Sequence, residues 1–204
     1  MCLIPHLEGV REQLGQVPSR VVADAGYGSE ENYTYLEDAG VDSFIKYSTF
    51  DREQKRSWRK QIYRVENWPY DAERDEFICP QGKHLTYHAT HHRRTANGYL
   101  TQRRSYECAD CSTCPVKADC TRAPGNRRVY VSMPLMAYRE QARQNLLSDE
   151  GKRLRARRGV EVEGVFGRLK HNWGFRRFML RGLDKVKVEW GLLCLGHNMA
   201  RLAT

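Results

Sequence analysis

The residues best placed to do chemistry lie between Arg153 and Gly182, where a glutamate stands inside a dense run of arginine and lysine. From Gly151 to Lys185 the sequence has eleven Lys or Arg residues and three acidic ones. The whole 204-residue chain has a formal net charge of +9, so this segment holds nearly all of the excess charge. Such a patch indicates a polyanionic partner. The glutamate within the patch is a possible metal ligand. It indicates a site that brings a metal ion to a phosphodiester backbone.

An amphipathic helix is predicted around Glu163, the acidic residue with the most specific placement in this segment. Val162, Phe166, Leu169 and Trp173 recur at the spacing of one helix face, so they are predicted to form its buried stripe. Successive helical residues are turned by about 100°, which places Glu163 at the margin of the stripe, where a side chain can face a cleft.

Two glycines lie one helical turn before and after Glu163. Gly159 and Gly167 would leave room beside the carboxylate for a metal ion and a phosphate, although a glycine inside a helix costs about 1 kcal/mol relative to alanine. An ordinary surface glutamate is the alternative interpretation of Glu163. The other acidic candidate, Glu161, has the spacing of a simple surface ion pair with Arg157.

Nine basic residues of this segment are predicted to bind nucleic-acid phosphates. They are Arg153, Arg155, Arg157, Arg158, Arg168, Lys170, Arg176, Arg177 and Arg181. Trp173 and Phe175 are candidates to stack on an unpaired base, with core packing as the alternative. An anionic membrane is disfavoured as a partner because no broad apolar face lies opposite the charges. RNA stays open, since a basic patch does not distinguish it from DNA.

A second carboxylate, Asp24, is predicted to lie at the edge of a small parallel sheet. Residues 19–24 have the pattern of a buried strand, and a Gly-Tyr-Gly-Ser turn follows. Ser29 is suited to cap a helix that ends at Gly40, before a second strand at 44–47. This arrangement places Asp24 at the carboxyl edge of the sheet, where such folds build their sites. An aspartate that only supports the turn is the alternative, whereas a dinucleotide loop is excluded because its third glycine is missing.

Five of the seven cysteines fall between residues 79 and 120. They are Cys79, Cys108, Cys111, Cys114 and Cys120. A Cys-Pro-x-Gly turn followed by a CxxC pair is typical of a zinc knuckle pair, in which four thiolates bind one Zn²⁺, so one of the five is spare. An iron–sulfur cluster and unligated thiols are the alternatives. The sequence shows neither a secretory signal nor an apolar run of the ~18 residues that span a bilayer, so we expect reduced cysteines in the cytoplasm.

Three regions are predicted along the chain. Residues 1–47 form an α/β region that carries Asp24. Residues 48–133 form a cysteine-rich, mostly β insertion, with a basic helix at about 52–62 and a tight hairpin turn at Asn97-Gly98. Residues 134–204 are helical and carry Glu163. The last helix, over 186–202, has four apolar residues predicted to face the core. They are Leu192, Leu195, Met199 and Leu202.

Three blocks of sequence together resemble the C-terminal part of bacterial insertion-sequence transposases of the DDE type. The blocks are VVADAGYGSEENYTYLEDAG, the cysteine motifs CPQGK and CADCSTCPVKADC, and RRGVEVEGVFGRLKHNWGFRRFMLRG with the helix that follows. They occur in the family's order and cover nearly the whole chain. The spacing from Glu163 to Lys170 also matches that family's glutamate-to-lysine signature.

The resemblance implies a partial RNase H-like catalytic domain of α/β class, interrupted by the cysteine-rich insertion before its last catalytic helix. It implies DNA strand cleavage and strand transfer, with Mg²⁺ or Mn²⁺ held by an Asp, Asp, Glu set. Asp24 resembles the second aspartate and Glu163 the glutamate. Arg157, Arg158 and Lys170 resemble the basic residues that handle DNA ends. The implied partners are transposon ends and target DNA in a bacterial cytoplasm, in association with the nucleoid.

One feature departs from the family's pattern, because residues 1–23 contain no aspartate to serve as the first carboxylate. Nor do they leave room for the three antiparallel strands that open an RNase H-like sheet. We therefore expect a truncated chain that binds DNA without catalysing transposition alone, and that acts as a homodimer or with a missing N-terminal portion supplied in trans. The alternative is a non-catalytic, zinc-stabilised DNA-binding protein, such as a transposase remnant or inhibitor.

Overall fold

The computed structural model describes residues 3–203, with only the backbone at Val162. The chain divides into two units, one that ends at Ser148 and one that begins at Asp149, and each is described by itself. The three regions predicted from the sequence, with boundaries after residues 47 and 133, stay a prediction.

The first unit contains the predicted strand–helix–strand arrangement. β1 (Arg20–Ala23) pairs in parallel with β2 (Asp42–Ile45), and α2 (Glu30–Asp38) connects them. β2 begins and ends two residues before the predicted strand at 44–47. A helix that the sequence did not indicate, α1 (Leu3–Leu14), precedes β1.

Helix α2 begins and ends where its sequence predicts. The hydroxyl of Ser29 accepts a hydrogen bond from the backbone N–H of Asn32 (3.3 Å), as a helix cap does. Gly40 follows the last turn with φ of 64°, the left-handed conformation that glycine adopts most readily. Tyr33 and Leu36 are buried, and the Tyr33 hydroxyl donates to the carbonyl of Ile45 (2.9 Å). These contacts fasten α2 to the second strand.

The stretch that follows differs from the single basic helix predicted at about 52–62. Two short helices form instead, α3 (Phe50–Glu53) and α4 (Arg56–Arg59). Each is fixed by a buried aromatic residue, Phe50 in α3 and Trp58 in α4. Packing of these two side chains therefore determines the local structure more than helix propensity does.

A five-stranded antiparallel sheet occupies most of the cysteine-rich region. Its strands lie in chain order. They are β3 (Tyr70–Asp71), β4 (Glu76–Ile78), β5 (His84–Arg94), β6 (Leu100–Cys108) and β7 (Arg128–Val131). The predicted tight turn joins β5 to β6, with Gly98 at φ of 85° and the Thr95 N–H bonded to the Tyr99 carbonyl (2.8 Å). This sheet is the main regular structure of residues 48–133. The bounds of this region and its status as an insertion stay predictions.

The core of this sheet reaches as far as the cysteines. Trp68, Phe77, Leu85 and Tyr106 pack in one cluster with three further buried residues. Those three are Cys108, Cys111 and Val129. A short helix, α5 (Lys117–Cys120), lies between β6 and β7 along the chain and ends on the last cysteine of the group.

Glu30 links the parallel unit to the antiparallel sheet. Its Oε2 accepts hydrogen bonds from the hydroxyls of Thr101 (2.9 Å) and Ser132 (2.6 Å). Helix α6 (Met133–Leu147) begins after Ser132, which also caps it through the Leu135 N–H. At the far end of α6, Asn145 donates to the carbonyl of Ser43 (3.0 Å) in β2.

The second unit consists of helices, as predicted for this part of the chain. α7 (Asp149–Gly167) continues as a π-helical turn over Arg168–Asn172, and α8 (Leu183–Leu202) follows. The Trp173 N–H donates to the Arg168 carbonyl five residues back (3.0 Å), which is the hydrogen bond of a π turn. The regular α-helical spacing that predicted one apolar stripe therefore ends at Gly167.

The predicted stripe on α7 is only partly buried. Leu169 is 1% exposed, as expected, but Phe166 and Trp173 are 44% and 39% exposed. The side chain of Val162 lies outside the described residues. Phe166 stacks on Trp190 of α8, and Trp173 packs edge-on against His197. Phe166 and Trp173 thus contact side chains of α8 and do not form a continuous buried stripe.

The prediction that the apolar stripe of the last helix faces the core is wrong within the structure described. The side chains of Leu192, Leu195, Met199 and Leu202 are between 56% and 89% exposed. Periodicity identified the helix correctly, but it does not tell which partner covers a face. No helix of the described residues is long and apolar enough to cross a membrane.

Candidate functional site

Asp24 lies immediately after β1, at the carboxyl edge of the parallel strand pair. Its backbone is extended (φ −73°, ψ 166°) and begins a short 3₁₀ turn, in which its carbonyl accepts from the Tyr27 N–H (3.0 Å). The side chain is exposed and makes no capping hydrogen bond to this turn.

The second glycine of the Gly-Tyr-Gly turn has a packing role. A Cβ on Gly28 would lie 2.5 Å from the carbonyl oxygen of Lys46 and 2.9 Å from the Cα of Tyr47. The loop that starts at Asp24 is thus pressed against the backbone just beyond β2. The glycine is required by this close approach, which accounts for the motif without a dinucleotide.

Glu163 lies on α7 and is exposed. A Cβ at Gly159 or at Gly167 would meet nothing within 4 Å, so both positions border open space, as the spacing predicted. Glu161 makes the predicted ion pair, with the Arg157 Nε 2.6 Å from its Oε1. Both members of that pair are exposed, so it contributes little to stability. Glu161 and Arg157 are thus engaged with each other.

The basic residues of the second unit fall into two groups by burial. Arg155, Arg158 and Arg168 are half-buried, and the other predicted phosphate ligands are exposed. The exposed ones are Arg153, Arg157, Lys170, Arg176, Arg177 and Arg181. Two cations also lie over aromatic rings, Lys170 over Phe166 (5.6 Å to the ring centroid) and Arg168 over Trp173 (5.9 Å).

The two candidate carboxylates lie in different units, Asp24 in the first and Glu163 in the second. The exposed acid on α7 has open space beside it and cations along the same helix, while Asp24 lies at a sheet edge. Carboxylate oxygens are the ligands that Mg²⁺ and Mn²⁺ prefer, so the donor chemistry of both residues fits such an ion.

The structure brings all five cysteines of the group to one small cavity. Cys79, Cys108, Cys111, Cys114 and Cys120 all line it. Cys79 occupies a tight turn, in which the Gly82 N–H donates to its carbonyl (2.8 Å) and its own N–H donates to Lys83 (2.9 Å). The Arg127 N–H points at the Cys111 sulfur (3.4 Å), a contact that suits a metal-bound thiolate.

The cavity that these five thiols line has a volume of about 20 Å³. Among the described residues, no three or more His, Cys, Asp or Glu side chains already stand in metal-ligand geometry. The thiols therefore surround one space without forming a finished ligand cage.

Burial changes the acidity of two of these thiols. Burial, together with a hydrogen bond to Cys111, raises the pKa of the Cys108 thiol to about 11. Burial also raises the pKa of Cys120. Both thiols are therefore neutral near pH 7 without a metal, and an ion that binds them has to displace their protons.

Comparison with known families decides what kind of protein this is. Residues 78–203 match a family model described as a transposase DDE domain. The chain belongs to this family. Searches of curated proteins and of solved structures gave no match to the chain. The resemblance inferred from the sequence motifs is thereby confirmed.

The matched part of this transposase domain includes Glu163, all nine predicted phosphate ligands and the five cysteines, but it begins after Asp24. The mixed α/β architecture, with an antiparallel sheet and helices, is consistent with such a domain. Sequence reasoning missed one feature of the matched region, an aromatic cavity in the second unit. Its signal is the Phe-Arg-Arg-Phe sequence at residues 175–178.

Proposed function

We propose that this transposase domain takes part in metal-dependent DNA strand cleavage and strand transfer, with Asp24 and Glu163 as two of its three carboxylates. The observation that carries the proposal is the family match over the helix that presents Glu163 among exposed cations. Glu161, two residues away, shows the ordinary case, since it is paired with Arg157.

The proposed chemistry assigns distinct tasks to the two kinds of residue. Divalent ions of this kind activate a water or 3′-hydroxyl and stabilise the leaving oxygen of an in-line displacement. Asp24 and Glu163 would bind Mg²⁺ or Mn²⁺ through their carboxylate oxygens. The exposed arginines would hold the phosphates on each side of the scissile bond, and Lys170 would hold one close to Glu163.

Positions 1–23 hold no aspartate that could serve as the third carboxylate. We propose that another polypeptide supplies it in trans. We therefore propose that this chain binds DNA through its basic segment and does not transfer strands by itself. Robust metal-dependent strand transfer by the purified chain would contradict that part of the proposal.

DNA binding by the basic segment has a quantitative signature. Each phosphate contact contributes about −0.9 to the slope of log K against log salt for duplex DNA. Replacing Arg153 by glutamine (R153Q) should weaken binding to all sequences alike and reduce the slope by about one. Titrations between 50 and 200 mM salt, about the range in which such contacts are measured, would show it.

The matched control for this measurement is K60Q, which removes an exposed cation from the first unit. It should leave the slope unchanged. Equal slopes for the wild type and R153Q would contradict the assignment of the basic segment as the DNA-binding surface.

We also propose that four of the five cysteines bind one structural Zn²⁺. The convergence of Cys79, Cys108, Cys111, Cys114 and Cys120 on one small cavity supports this. Cys108 and Cys111 belong to the sheet core, and Cys79 and Cys120 pack against it. An ion there would tie the turn after β4 to the end of β6 and to α5, and so stabilise the sheet.

Elemental analysis tests the zinc proposal, with about one zinc expected per chain. Single Cys→Ser variants at four of the five positions should lower the zinc content, and the fifth should not. C194S is the matched control, because Cys194 lies on α8, outside the cavity. A zinc-free, fully folded protein from zinc-supplemented expression would contradict the proposal.

A further inference from the structure

An aromatic cavity lies within the second unit, apart from the carboxylates. Its volume is about 500 Å³, within the range of about 300–1,000 Å³ typical of small-ligand sites. The rings of Phe166, Phe175, Phe178 and Trp190 line it, above the buried side chain of Leu169. Such a space is far larger than the packing gaps of a protein interior.

The rings form one connected group. Phe166 and Trp190 are nearly parallel (22°) with centroids 6.3 Å apart, and Phe178 meets Trp190 at 67° and 6.3 Å. Phe175 meets Phe178 edge-on at 5.2 Å. Phe166 and Phe178 keep 44% and 42% of their surface exposed. Aromatic surface that is held in place and still accessible is suited to bind another flat ring.

The charge around this cavity selects the class of ligand. Lys170, Arg176, Arg177 and Lys187 line it together with the rings, and none of its lining residues is acidic. Lys170 lies 5.6 Å from the centroid of the Phe166 ring, at the junction of apolar and charged surface. An apolar protein segment would need no such cations. A flat ring attached to phosphates matches both the surface and the charge.

We propose that this cavity binds an unpaired nucleotide of a DNA substrate, with the base against the rings and its phosphates on the surrounding cations. A base inside a duplex is covered by its neighbours on both faces, so only a nucleotide outside the stack can enter. The inference rests on the proposed DNA-binding function and goes beyond it, since strand cleavage by itself requires no stacked base.

The experiment compares two duplexes of the same sequence, one blunt and one with a single-nucleotide 2-aminopurine overhang. Stacking of a base on an aromatic residue contributes about 1–3 kcal/mol, which is roughly a 5- to 150-fold preference for the overhang. The 2-aminopurine fluorescence should fall on binding to the wild type, since stacking quenches it. This second readout needs no variant.

Variants then assign the preference to the cavity. F178A should lose the preference for the overhang and keep its affinity for the blunt duplex, and F178Y should retain the preference. M179A is the matched control, because Met179 is adjacent and 78% exposed but does not line the cavity. Equal wild-type affinity for the two duplexes, or an F178A preference like that of the wild type, would overturn the inference while leaving DNA binding intact. Failure to bind either duplex would overturn the proposed DNA-binding function as well.

Discussion

The residues around Asp24 show how a motif is determined by packing. Of the two glycines in Gly-Tyr-Gly, only Gly28 approaches another backbone closely, whereas a Cβ on Gly26 would meet nothing within 4 Å. Gly28 thereby holds the loop that begins at Asp24 against the residues after β2. The position of the Asp24 carboxylate thus depends on Gly28, because a side chain at that position would collide with the neighbouring backbone.

A pair of substitutions in this loop tests that role. G28A should lower the free energy of unfolding by about 1–3 kcal/mol, because its Cβ meets backbone atoms that cannot move aside cheaply. G26A should be within about 0.5 kcal/mol of the wild type, as a surface change is. Urea denaturation of both proteins measures the difference. Equal stabilities would contradict the close approach of Gly28 to Lys46.

At this scale the sequence predicted local relations well. The Ser29 cap and the Arg157–Glu161 pair depend on neighbours a few residues apart, and both are present. The burial of Phe166 and Trp173 depends on partners from another helix, Trp190 and His197, and the sequence did not reveal these. Nor did it reveal the π turn after Gly167, which depends on one backbone hydrogen bond.

The side chain of Asp75 connects two strands of the antiparallel sheet. Its Oδ1 accepts from the hydroxyls of Tyr70 (2.6 Å) and Tyr106 (2.7 Å), and its Oδ2 lies 3.3 Å from the Arg104 guanidinium. The hydrogen bond from Tyr70, with the bond from Tyr106 and the charge of Arg104, lowers the pKa of Asp75 despite the opposing effect of burial. The carboxylate therefore joins β3, β6 and the turn before β4.

The lowered pKa of Asp75 predicts a dependence of stability on pH. A carboxyl with a lower pKa in the folded state stabilises the fold above its unfolded pKa of about 3.9, and this contribution is lost as the pH falls. D75N should therefore unfold more easily than the wild type at pH 7, and the gap should narrow below about pH 4. Asparagine tolerates the positive φ of 52° at this position, so the backbone should keep its form.

The measurement is urea denaturation at pH 7 and at several values down to pH 3, about the range over which aspartates titrate. E73Q is the control, since Glu73 is exposed in the same turn. It should follow the wild type throughout. A gap between D75N and the wild type that stays constant with pH would contradict the ionised role of Asp75.

Elements with strong local signals were predictable, and their environments were not. The strand pair around Asp24, the Asn97-Gly98 hairpin and the last helix were all expected from the sequence. The exposed stripe of α8 was not, because an apolar spacing identifies a face without identifying what covers it. The five cysteines illustrate the opposite case, since a motif spread over forty residues does converge on one cavity.

For the molecule as a whole, we propose that residues of both units serve the same function. The first contributes Asp24 and the cysteine-lined sheet, and the second contributes Glu163, the basic residues and the aromatic cavity. The family match includes the five cysteines and all of these parts of the second unit, but not Asp24. We propose that Asp24 and Glu163 belong to one set of carboxylates that holds divalent ions, as the family resemblance implies and a non-catalytic remnant would not require.

Iron-directed cleavage of the protein tests this claim most directly. Fe²⁺ in place of Mg²⁺, with ascorbate and peroxide, cuts the backbone close to the bound ion. We expect cuts near both Asp24 and Glu163, protected by excess Mg²⁺. Both cuts should disappear together in E163Q and in D24N, and both should persist in E161Q, which removes the neighbouring charge. Cuts near only one of the two residues, or cutting in E163Q like that of the wild type, would contradict the shared metal site.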